Sequence, residues 1–139
     1  MQRLAVLLAA LWWGGLSGLS FVAVPTLFAK LGAPLAGPVA AHLFSLQCWA
    51  GLGIGLLLLL VLRRERAAGQ FPMAGEAVDP QRLVQLQRVL TTMGFVLAAM
   101  VLALLQEFGV AQKIVTARAT GGDLRLWHGL GTLMVLGQW

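Results

Sequence analysis

Eight side chains in this chain combine reactive or ligating chemistry with apolar surroundings. They are His42, Ser45, Gln47 and Cys48, then Gln106, Glu107 and Gln112, and last His128. Polar groups inside apolar helices are costly and mark functional positions by default. Glu107 is the sharpest of them, because a bare carboxylate in an apolar medium must either neutralise or find a partner. Its candidate partners across helices are His128 and Arg125; Arg118 shares its helical face but lies beyond one turn. Hydration at a membrane interface is the plainer alternative. His128 has three possible roles: metal or haem ligation, proton relay, or a structural hydrogen bond to Glu107. A two-histidine haem site would pair His42 with His128 as axial ligands from different helices. Cys48 lies six residues after His42, about 240° round a helix, so the two do not share a face. Ser45 follows His42 by one turn, but no neighbouring acid completes a triad.

Conventional enzyme signatures are absent: no GxSxG, phosphate loop, HExxH or CxxC occurs. The expectation is a non-enzymatic pocket lined by Gln47, Glu107 and His128. If a metal ion or haem b is held at all, its ligands would be His128 and, less favourably, His42. Otherwise no cofactor is expected.

These residues are positioned by a chain that reads as a membrane protein. Of its 139 residues, 59 % are hydrophobic and 11 % charged. No soluble domain of this length could bury so much apolar surface. Ten Lys and Arg against five acids make it basic, but the basic residues lie between or at the ends of apolar runs. That is how topology signals look, not a nucleic-acid footprint. One cysteine, Cys48, excludes an intrachain disulfide and a multi-Cys zinc site.

The expected architecture is all-α: an integral membrane four-helix bundle in a single transmembrane domain. Helices are predicted over about 4–31, 38–62, 83–116 and 124–139, with a cytoplasmic loop over 63–82. The opening MQR resembles a signal-peptide start, but the apolar run behind it exceeds the roughly 7–15 residues of an h-region and lacks an A-x-A site. A retained helix is therefore expected, kinked near Pro25. GAPLAGP (residues 32–38) reads as a tight turn, with Gly37 as N-cap and Pro38 first in the second helix. ATGGD (119–123) breaks the third helix, and Asp123 suits the N-cap of the fourth. Sixteen residues from Leu124 to Trp139 make only about 24 Å of helix, short of the roughly 30 Å hydrocarbon core. The fourth helix is therefore expected to be truncated.

With the N-terminus inside, Arg3, Arg63, Arg64, Arg66, Arg82 and Arg88 fall on the inner side, against Lys30, Lys113, Arg118 and Arg125 outside. The dense RRER cluster sets N-in, C-in. His42, Glu107 and His128 then lie toward the outer half. Lipid gives no hydrophobic drive between helices, so small residues must let them approach. Ala10, Gly14 and Gly18 form one candidate packing stripe, Gly51 and Gly55 a second, and Gly129 begins a third. Trp12 and Trp13 lie too deep for an interfacial belt, which predicts partners for their ring N–H groups inside the bundle.

LWWGGLSGLSFVAVPTLFAKL, HLFSLQCWAGLGIGLLLL, LLQEFGVAQKIV and LRLWHGLGTL, in that order, resemble the transmembrane-protein-205-like family, whose bacterial branch is domain of unknown function 4149. The resemblance covers nearly all of the chain except residues 63–82. It implies a small four-helix integral membrane protein of unestablished activity. The family pattern carries over to Trp13, Gly14, Pro25, Phe28, Phe44, Gln47, Glu107, His128 and Gly129. His42 falls outside it, which weakens the two-histidine haem site, and members continue past the position of Trp139.

Three functions follow as expectations. The first is a bacterial inner-membrane protein whose polar pocket near the outer face binds or passes a small ligand or cation. The second is a haem- or copper-handling redox protein using His128. The third is an assembly subunit packing through its glycine stripes. Expected partners are the lipid bilayer and a membrane protein or second copy of the chain, with no nucleic acid.

Overall fold

The computed structural model describes residues 2–68 and 80–139, and every regular element in them is helical. The chain runs through α1 (Gln2–Ser17), a π-helical segment π1 (Gly18–Ala23), α2 (Val24–Ala68), α3 (Pro80–Leu105), a second π segment π2 (Gln106–Ala111), α4 (Gln112–Thr120) and α5 (Leu124–Gln138). Two helical stretches, Arg3–Ala67 and Pro80–Ile114, are long and apolar enough to cross a membrane. Only 22 % and 11 % of their most apolar windows are buried inside the chain, so neither is the core helix of a water-soluble globule.

The first stretch is two helices meeting at a break. Gly32 sits at φ 70°, ψ 163°, a backbone conformation that glycine adopts without the steric penalty of a Cβ. The sides of the break pack against each other: Trp12 lies against Gly51 and Gly55, and Gln47 against Gly15. The predicted seven-residue turn at 32–38 is thus confined to Gly32. Helix resumes four residues before the expected Gly37 cap because Pro34 tolerates a first turn, where an N–H has no helical acceptor. Pro38 lies inside the helix.

The break near Pro25 takes the form of π1. Proline has no N–H to offer the Phe21 carbonyl four residues back. The helix widens just upstream, where the Val24 N–H bonds the Leu19 carbonyl five residues back. Downstream, α2 continues through the RRER cluster to Ala68, and α3 starts at Pro80, a favoured first helical residue. Of the predicted 63–82 loop, 63–68 and 80–82 are therefore helical, and 69–79 lie outside the described residues.

The core is narrow. Trp12, Leu16, Leu58, Leu62 and Val96 are its buried centre. The space is tight: a Cβ on Gly55 would stand 2.9 Å from both the Trp12 ring and the Met100 side chain. Many large apolar side chains outside this core face outward, with Phe95 73 % exposed and Val6 and Leu7 66 %.

α5 returns along α3. Asp123 caps it, its carboxylate accepting the Leu126 N–H at 3.1 Å, as the sequence predicts. A Cβ on Gly137 would come within 3.0 Å of Leu102, Gln138 Nε2 donates to Gln106 Oε1 at 2.9 Å, and the Trp139 indole N–H donates to Ser17 Oγ at 2.9 Å. Trp139 also stacks on Trp13 at 5.3 Å between ring centres and meets Phe21 edge-on at 5.9 Å. The end of α5 is thus tied to α1, π1 and π2 together.

The glycine stripes divide. Gly51 and Gly55 stand at close approach, whereas a Cβ on Gly14, Gly18 or Gly129 would meet nothing within 4 Å, and Ala10 is exposed. Within the chain, the contact faces are made by Gly15 and Gly131, one and two positions on. Trp12 is buried and Trp13 half exposed, and among the described residues neither ring N–H forms the hydrogen bond predicted for it.

Candidate functional site

Both π segments open onto one cavity. A π turn carries an extra residue, which rotates the side chains before and after it relative to each other. In π1 this places Ser20 and Phe21 on the cavity wall, and in π2 Gln106, Glu107 and Val110. α2 supplies Ala40, Phe44 and Ser45, α5 supplies His128 and Thr132, and Trp139 at the end of α5 completes the wall. The cavity measures about 640 Å³, within the range of small-molecule sites.

Its polar centre is a bond the sequence did not reveal. Ser45 Oγ donates to Glu107 Oε1 at 2.6 Å, across 62 residues of chain, with both groups partly buried. A short hydroxyl–carboxylate bond is charge-assisted and strong for its kind. One turn along the same face, Cys48 Sγ donates to the Ala103 carbonyl at 3.3 Å. Ser45 and Cys48 are three residues apart and so share a face. That face meets the end of α3 and the start of π2.

Gln47 stands two residues from Ser45, about 200° round the helix. Its amide accordingly lies against Gly15, and it does not line the cavity. Of the predicted group Gln47, Glu107 and His128, the cavity brings together the last two and not Gln47.

His128 does line the cavity with Glu107. Among the described residues no hydrogen bond joins Glu107 to His128 or to Arg125, however, and the expected direct pair is replaced by Ser45–Glu107. His42 is exposed and is not among the lining residues, so the cavity does not bring the two histidines together. No three His, Cys, Asp or Glu side chains among the described residues are grouped to hold a metal ion.

Gln106, Gln112, Ser20 and Thr132 add further polar groups to the same wall. Ser20 Oγ is buried with no hydrogen-bond partner among the described residues. Thr132 Oγ1 is satisfied by the His128 carbonyl at 2.9 Å. The rest of the wall is largely apolar and aromatic: Phe21, Phe28, Phe44, Val110, Ile114 and Trp139.

Residues 7–123 match a protein family described as a domain of unknown function, DUF4149. The chain belongs to this family. The match runs from Leu7 within α1 through α4 and takes in both π segments, hence Ser20, Ser45 and Glu107. α5, with His128 and Trp139, lies beyond the matched residues of DUF4149. No curated protein and no solved structure matches the chain.

Proposed function

We propose that this DUF4149 protein is a multi-pass protein of the bacterial inner membrane, non-enzymatic, whose cavity binds or passes a small ligand or cation. The outward-facing apolar side chains support the bilayer as its solvent, since water would expose Phe95, Val6 and Leu7 at large cost. The sides of the Gly32 break, the Pro80–Thr120 run and α5 make four arms of a helical bundle, with both termini cytoplasmic. Each side of the break exceeds, at about 1.5 Å per residue, the roughly 30 Å of hydrocarbon.

The observation that carries the reading is Glu107, an acidic side chain held by Ser45 in an apolar-walled cavity framed by two π segments. Interruptions of this kind are tolerated at membrane depth where they line a cavity, and π turns recur at functional sites. Ser45 donates its hydrogen bond to a carboxylate, not to an imidazole base, which favours binding over nucleophilic catalysis. The exposed position of His42 disfavours a bis-histidine haem site.

The experiment is thermal unfolding of the purified protein against a panel of metal ions, organic cations, anions and neutral compounds. At least one should raise the midpoint for wild type and fail to do so for Thr132→Trp, which fills the cavity. A panel that shifts both proteins equally, or neither, would overturn the reading.

A further inference from the structure

We infer that the ligand of this cavity is an organic cation with an apolar body, with Glu107 as its counter-charge. The inference rests on the cavity reading above and narrows it to one chemical class.

Charge comes first. Among the described residues that line the wall, Glu107 is the only acidic one and none is Lys or Arg; His128 shares the wall but makes no hydrogen bond to Glu107. Ser45 supplies one hydrogen bond to the carboxylate but no positive charge. An unpaired carboxylate in an apolar surround is strongly disfavoured. A cationic guest supplies the missing charge, and an anionic one adds a second negative charge beside it.

The kind of cation follows from the rest of the wall. A divalent metal ion takes six or more oxygen ligands, or four nitrogen and sulfur ones, and no such cluster is present among the described residues. What the cavity offers is volume and aromatic faces: about 640 Å³ bounded by Phe21, Phe28, Phe44 and Trp139. Aromatic rings attract organic cations through their negative faces, and apolar walls bury the body that carries the charge. Ser20 Oγ, buried and without a hydrogen-bond partner among the described residues, is an acceptor for an ammonium N–H.

Two ions of nearly identical shape and opposite charge test this: tetraphenylphosphonium and tetraphenylborate. Their binding to the full chain in lipid nanodiscs would be measured by equilibrium dialysis, with empty nanodiscs subtracted. The wild type should retain the phosphonium in preference to the borate. Glu107→Gln keeps a hydrogen-bond acceptor for Ser45 and should weaken phosphonium binding by at least about tenfold, leaving borate unchanged. Borate binding equal to or tighter than phosphonium would overturn the cation inference, as would a Glu107→Gln protein that binds phosphonium like wild type. Thr132→Trp, or Ala41→Phe at an α2 residue that also lines the cavity, separates the two levels. If both ions are retained undiminished by both variants, they bind outside the cavity and the cavity reading falls with the inference. If the variants exclude both ions equally but charge makes no difference, the cavity reading stands and only the cation inference is lost.

Discussion

At the scale of single residues, the Ser45–Glu107 bond is the feature on which the site turns. A hydrogen bond to a charged acceptor contributes about 1.5–3 kcal/mol in soluble proteins; side-chain bonds inside membrane proteins average nearer 0.6, with a maximum around 1.7. Half burial places this one between, at about 1–2 kcal/mol. Ser45→Ala and Glu107→Gln, with the double variant, should show a coupling energy of that order in reversible unfolding. Additive effects, within about 0.3 kcal/mol, would mean that the 2.6 Å contact does not stabilise the fold. Glu107 was legible as a costly carboxylate from its apolar neighbours alone. Its partner was not, because Ser45 lies 62 residues away and depends on how α2 is rotated toward π2. A partial signal existed: Ser45 and Cys48 share a face by spacing, and Gln47 cannot join them. Sorting those three by angle separates the cavity side of α2 from its α1 side.

At the scale of elements, glycine position and helix register decide what packs. A small-residue stripe in the sequence specifies a period but not a direction. Gly51 and Gly55 face Trp12, whereas Gly14 and Gly18 point into open space and Gly15 makes the contact. Nothing in a four-residue repeat distinguishes Gly14 from Gly15 when both are glycine. Similarly, Pro25 announced a distortion, but no proline announces π2, whose weakest helix former is Gly109. The Asp123 cap was readable because its chemistry is local. The docking of Trp139 on Trp13 and Ser17 was not, because it joins the two ends of the chain. The glycine contrast predicts that Gly55→Ala destabilises by about 1–3 kcal/mol through overpacking against the rigid Trp12 ring. Gly14→Ala should be neutral or stabilise by up to about 1 kcal/mol through helix propensity. Thermal unfolding in detergent would check both, and equal losses would mean that Gly14 packs against something beyond its own chain.

At the scale of the whole molecule, the proposed orientation ties the cavity to one side of the membrane. Ser45, Glu107 and His128 lie toward the Gly32 break and the Asp123 cap, and away from the RRER cluster at the end of α2. Basic residues near span ends resist translocation. In the proposed orientation Arg63, Arg64 and Arg66 hold their end inside, and the cavity sits nearer the outer face. The proposed orientation rests on counted charges and not on side-chain rotation. Cysteine labelling tests it. In a Cys48→Ser background, which keeps a hydroxyl donor for the Ala103 carbonyl, Gly122→Cys should react with an impermeant maleimide in intact spheroplasts. Ala67→Cys, in the last turn of α2, should react only after permeabilisation. The reverse pattern would invert the molecule and turn the cavity toward the cytoplasm. Labelling of both sites in intact spheroplasts would place them on one side, so that the chain between them crosses an even number of times and the four-arm arrangement fails. Only the expected pattern lets a cavity ligand arrive from outside without crossing the bilayer.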